Sequence, residues 1–162
     1  MVILAGLRGE VSGAEDALRA ARNAGGADAS VQLMRASMVF GRIHLDSAID
    51  HAIRAFERGR NTSNSRATET LLYASGTRQI SKAIEKMGIR EGDSEVALVA
   101  FGEFSLDEFL EKADFKQDDS VLDGDASMLV EYGISKKEIA SVPESKIFDL
   151  VLERVAMVDL LK

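Results

Sequence analysis

Two short polar stretches hold the residues best suited to chemistry. Arg58, Arg60, Asn61, Asn64, Ser65 and Arg66 surround one, and Ser75-Gly76-Thr77-Arg78-Gln79-Ile80 forms the other. Each runs into a segment of helical pattern, so each brings the unpaired N–H groups and positive dipole end of a helix start, near Ser65 and near Thr77, where phosphate is favoured. Arginine adds a planar fork for two-point phosphate contact, and Asn or Gln can read a base edge. If the fold brings the two loops together, they form a small pocket for a phosphodiester segment. Ordinary helix capping accounts for the same residues without any ligand. Tyr73 is the only tyrosine nearby, so base stacking would rest on it, on arginine planes or on aliphatic side chains.

Other chemistry is poorly supplied. His44 and His51 are the two histidines. Seven positions apart on one helix, they are separated by about 10.5 Å along its axis, too far to share a metal readily. A Gly-x-Ser-x-Gly elbow, a Walker A loop and a Gly-x-Gly-x-x-Gly fingerprint are all absent from the sequence. With no cysteine there is no zinc ribbon, iron–sulfur cluster, disulfide or thiol nucleophile. Asp118 and Asp119 are adjacent acids in a polar stretch, a pattern more typical of solvated carboxylates than of an acid–base pair. The sequence nominates no catalytic residue, no metal and no cofactor, and the expectation is a protein that is not an enzyme.

Charge is unevenly placed. The chain of 162 residues carries a formal net charge of -7, which by itself argues against nonspecific nucleic-acid binding. Yet Arg54 to Arg90 contains eight bases (Arg54, Arg58, Arg60, Arg66, Arg78, Lys82, Lys86, Arg90) against three acids, a local +5. Glu91 to Glu131 contains thirteen acids against two bases, a local -11. Solvated faces explain this pattern, and so does an anion site on an otherwise acidic body.

The elements that must position these residues form a single domain over residues 1–162, an α/β fold with a small mixed β-sheet packed with several α-helices. Val2 to Leu4 reads as a strand, and Ser12 with Glu15 as a capping box opening a helix to Asn23. Ala29 to Met34 and Ser37 to Phe40 read as two strands, or as one strand and a connector. The spacing of Leu45, Ala48, Ile49, Ala52, Ile53 and Phe56 predicts an amphipathic helix over 44–58. Two more helices follow, one from Ser65 to Ser75 and one with Ile80, Ala83, Ile84 and Met87 on its inner side. Gly76 ends the first in the left-handed conformation.

Glu95 to Phe101 reads as a buried strand, and Ser105 with Glu108 as a capping box, with Phe104 and Phe109 as a hydrophobic staple. Ser120 to Leu122 reads as a short strand. Two brief helices follow, over 125–132 and from Ser135. The last helix is expected from Ser141, with Pro143 in its first turn. Its apolar residues lie on more than one face, which fits a central core helix or one that also docks a partner. The longest apolar runs, such as Val96 to Phe101, fall far below the length of a membrane span, and Met1 to Gly6 lacks the features of a signal peptide. A cytoplasmic protein is expected.

The chain resembles the family of the small regulatory subunit of the KEOPS complex, the TPRKB or PRPK-binding protein family, in its archaeal form. Asn64-Ser65, Glu69, Leu71-Leu72, Ala74 to Ile80, Ala83-Ile84 and Met87-Gly88-Ile89 carry the resemblance, with Asp118 to Leu122 and Glu153 to Leu160. It implies a non-catalytic subunit of the machinery that makes threonylcarbamoyl-adenosine in transfer RNA. Such a subunit binds and supports an atypical small kinase/ATPase and, in archaeal relatives, captures the single-stranded 3' CCA end of tRNA. Carried onto this chain, the resemblance implies RNA contact at Arg58, Arg60, Asn64, Ser65, Arg78 and Gln79, with Ile80 in the helix core. For the kinase it points to the C-terminal helix, at Leu150, Arg154, Val158 and Leu161. Arg66 and Ala67 depart from the bulkier apolar residues frequent in relatives.

Overall fold

The computed structural model describes residues 1–162, with four strands in one sheet. They are β1 (Val2–Arg8), β2 (Ser30–Arg35), β3 (Glu95–Phe101) and β4 (Lys116–Gln117), in the order β2-β3-β1-β4. Every pairing is antiparallel, where a mixed sheet was expected. Since β3 inserts between β1 and β2, these two strands run the same way without touching, a split β-α-β arrangement.

Strand alternation sorts the core. On β3, Ala97, Val99 and Phe101 face one core, while Val96, Leu98 and Ala100 face a second. The second core is closed by α1 (Ala14–Asn23) and α5 (Leu106–Ala113), the first by α2 (Arg42–Glu57), α3 (Arg66–Ser75), α4 (Ile80–Met87) and α8 (Asp149–Leu161). Two short helices, α6 (Leu129–Tyr132) and α7 (Lys136–Ala140), lead into α8. The acidic α5 and the helices α3 and α4, which carry much of the basic block from Arg54 to Arg90, therefore lie on opposite faces of the sheet. No helix is long and apolar enough to cross a membrane.

Most of the expected elements form, with shifted edges. Gly13, not Ser12, caps α1, and no side chain bonds there. The segment after Ala29 is one strand followed by a 3-10 turn, Ala36–Met38. Ser120 to Leu122 belongs to a 3-10 turn, and the short strand is β4 just before it. Gly6 explains how closely that turn approaches: a side chain at position 6 would meet Asp118 O at 2.6 Å. Asp119 Oδ1 accepts from Gly6 N at 2.9 Å and Asp118 pairs with Arg8 at 3.0 Å, so this acidic pair holds a sheet edge. α8 begins at Asp149, not near Ser141, because Pro143 is extended (ψ 150) and opens a separate 3-10 turn, Glu144–Lys146.

Candidate functional site

α3 is buried along nearly its whole length and separates the two candidate loops. The first loop precedes it and the second follows it, so its ten residues hold them about 15 Å apart. Asn64 and Ser65 border a groove of about 560 Å³ lined also by Ile53, Phe56, Arg66 and Phe101, and no residue of the second loop reaches it. The single pocket that the two loops would form by coming together is therefore absent, and ordinary capping describes Ser65.

The first loop folds around a carboxylate. Glu69 is fully buried and accepts from Thr62 N (3.1 Å), Ser63 N (2.8 Å), Ser63 Oγ (2.9 Å) and Lys162 Nζ (2.7 Å). Burial alone would raise the Glu69 carboxyl. Lys162, Ser63 and Thr62 outweigh it and hold the group below its ordinary value. Ser65 caps α3 as expected, its Oγ accepting from Thr68 N at 3.1 Å. Arg58 and Arg60 stay exposed at the rim, and Lys162 Nζ also donates to Arg60 O at 3.1 Å. The loop's inward donors thus already serve an anion that belongs to the chain.

At the other end of α3, Gly76 adopts φ 75, as the sequence indicates. Side chains from neighbouring helices converge on the helix's last carbonyls. His44 Nε2–H donates to Ala74 O at 2.8 Å while Nδ1 accepts from Phe40 N at 3.1 Å, which fixes the tautomer of the imidazole. Tyr132 donates to Ala74 O at 2.6 Å, and Lys86 to Ser75 O at 2.8 Å. Burial lowers His44 to about 4 and Lys86 to about 8, with the Arg154 charge adding to the effect on Lys86.

Beyond Gly76, Arg78 and Gln79 are exposed, and Thr77 Oγ1 accepts from Gln79 N at 3.2 Å. Gln79 is the N-cap of α4 and its side chain makes no capping bond, so the N–H groups at the start of α4 face solvent without an internal anion. None of the eight bases from Arg54 to Arg90 lies within 4.0 Å of a carboxylate.

Several other expected residues sit differently. Tyr73 is fully buried, its hydroxyl donates to Asp159, and His51 stacks on it at 5.1 Å, so it offers no face to a base. Ile80 is 39% exposed rather than part of the core, because two-turn α4 buries only Ala83 and Met87. On α8, Leu150 and Val158 are buried in the core that α2, α3 and α4 close. Arg154 Nη2 donates to both oxygens of Glu138, at 2.9 and 2.7 Å. Leu161 is exposed. The outward stripe of α8 consists of Glu153, Ala156, Met157 and Leu160, spaced by three and four, with Leu160 81% exposed. Met157 and Leu160 stand among the apolar residues of a two-faced helix in the sequence, and only the packing shows which face is outward.

No group of three His, Asp or Glu side chains gathers as metal ligands. Both nitrogens of His44 are committed to structure, and His51 Nδ1 bonds Asp159 at 3.1 Å. The arrangement offers an outward apolar helix face and two separate basic ends. A family model described as kinase binding protein CGI-121 matches residues 10–159. The chain belongs to this family. A CGI-121 protein is a kinase-binding protein, and the match spans both loops and nearly all of α8. No curated protein matches the chain.

Proposed function

We propose that this CGI-121 protein is a non-catalytic, cytoplasmic subunit of a KEOPS-type assembly for threonylcarbamoyl-adenosine synthesis, docking the small kinase/ATPase through the outward stripe of α8. The family match over residues 10–159 carries this reading. An exposed apolar stripe on an otherwise well-packed helix supports it, since such stripes commonly mark interfaces. The test is retention of the purified kinase. A Met157→Asp, Leu160→Asp double variant should keep its folding midpoint, because both residues are exposed, and lose at least about tenfold in kinase affinity, a loss in the range of one interface hot spot. Unchanged retention would remove α8 from the interface.

The same reading includes capture of the 3' CCA end of tRNA, centred on Arg78 and Gln79, where the start of α4 has no anion of its own. Arg58, Arg60, Asn64 and Ser65 lie at the far end of α3 and make a separate contact surface at most. The separation of the two loops favours a second reading, in which the protein is purely a kinase-binding scaffold. Loss of tRNA retention on trimming CCA supports capture, and equal retention of intact and trimmed tRNA supports the scaffold.

A further inference from the structure

α4 continues the basic character of the second loop in a regular way. Arg78, Lys82, Lys86 and Arg90 recur every four residues, just before, within and just after the helix. Within α4, Lys82 and Lys86 are one turn apart, about 6 Å along the axis, a step comparable to that between successive phosphates of a nucleic-acid strand. Lys82, Lys86 and Arg90 line one open cleft of about 340 Å³ together with Arg35 from the end of β2, Met38, Glu85 and Glu131. None of its three bases on or beside α4 has a carboxylate partner, and Arg35 reaches only Asp93, at 3.5 Å. That contact is made by the buried Arg35 Nε, which faces Asp93 Oδ1 as an ion pair without forming a hydrogen bond. Lys86 joins the cleft to the second loop, donating to Ser75 O at 2.8 Å with its ammonium 3.6 Å from the Tyr132 ring centre.

We infer that this cleft is a binding site for the phosphodiester backbone of RNA, a track leading away from the Arg78–Gln79 end and serving nucleotides upstream of the captured tail. The inference rests on the tRNA reading above and extends it to residues which that reading does not use. With Arg35 paired to Asp93, the three bases Lys82, Lys86 and Arg90 against Glu85 and Glu131 leave a surplus of one positive charge, suited to a backbone with one charge per nucleotide rather than to a triphosphate. Separated cations in an open cleft also suit a strand passing over the surface, recognised by charge and not by base identity.

The test compares two probes on the intact protein: full-length tRNA and a short single-stranded oligonucleotide ending in CCA. Lys82 and Arg90 are exposed, so a Lys82→Ala, Arg90→Ala double variant should keep the wild-type folding midpoint. It should bind full-length tRNA about tenfold more weakly, with the slope of log affinity against log salt reduced by about 1.5, the value for two lost phosphate contacts. Binding of the short oligonucleotide should stay within about twofold. Unchanged affinity for full-length tRNA, or equal losses for both probes, overturns the track. Weakened kinase retention with unaltered tRNA affinity overturns it too and assigns the cleft to an acidic protein segment. Wild-type protein that binds neither probe refutes the tRNA reading itself, an outcome distinct from failure of the track alone.

Discussion

At the N-terminal end of α3, loop N–H groups and Lys162 converge on a carboxylate of the chain's own, Glu69. At the C-terminal end, His44, Tyr132 and Lys86 converge on the carbonyls of Ala74 and Ser75. Each end of the helix is thus complemented by groups of opposite polarity, an internal anion at the positive end and donors at the negative end. The two ends therefore differ in the basic surface they leave available. The loop before α3 has spent its inward donors on Glu69, and its remaining cations sit at the rim. The loop after α3 opens directly onto the uncapped start of α4.

The largest effect that would break this contrast comes from Glu69. Glu69→Ala strands a buried ammonium at Lys162 and leaves the Thr62 and Ser63 N–H groups unpaired, a loss of about 3–5 kcal/mol. Thermal unfolding should show a midpoint lower by about 10 °C for a domain of this size. A fall of only a degree or two would mean that the loop is not organised around this carboxylate.

The two ends should also separate by pH. His44 is depressed to about 4 in the fold against 6.5 when unfolded, so its contribution is complete above pH 6.5 and is lost as pH falls towards 4. Its full size is about 3 kcal/mol. Glu69 is also depressed, so its contribution is present above the ordinary 4.5 and lost only as pH falls through its lower folded value. Denaturant titrations across pH 7 to 4 should therefore weaken the C-terminal end first. In His44→Gln the slope between pH 6.5 and 4 should largely vanish, and persistence of the full slope would assign it to another group.

Smaller effects distinguish the turns themselves. Gly76→Ala places a side chain at φ 75 and 3.3 Å from Arg154 Cβ, with an expected cost of about 2 kcal/mol. Gly59→Ala, at φ 65 with nothing within 4 Å, should cost about 1 kcal/mol. Equal midpoints for the two variants would show that α8 does not press on the turn after α3.

Local features were the most legible in the sequence. The Ser65 cap, the stripe of α2, the left-handed Gly76 and buried β3 each follow from a few neighbouring residues. The separation of the loops was not drawn from the sequence, although Ser65 to Ser75 reads as a helix whose length holds its ends apart. Glu69 was not legible, because an acid inside a basic block looks like one charge to subtract, and only the fold of Thr62 and Ser63 turns it into the centre of the loop. Nor was the partner face of α8. Leu150 and Val158 are as apolar as Met157 and Leu160, and their burial depends on where α2 and α3 lie. Ile80 and Tyr73 exchanged expected roles for the same reason, one turned outward by the shortness of α4 and the other enclosed by His51, Asp159 and Lys162.

The contrast between the two ends of α3 is tested most directly by tRNA affinity in Arg78→Ala and Arg60→Ala, each measured with the CCA tail intact and trimmed. Arg78→Ala should weaken binding of intact tRNA by about tenfold, about 1.4 kcal/mol, and erase most of the difference between intact and trimmed molecules. Arg60→Ala should change affinity by no more than about threefold and keep that difference. The reverse ranking, with Arg60 decisive and Arg78 silent, would contradict the account and place the anion-receptive surface at the end that Glu69 occupies.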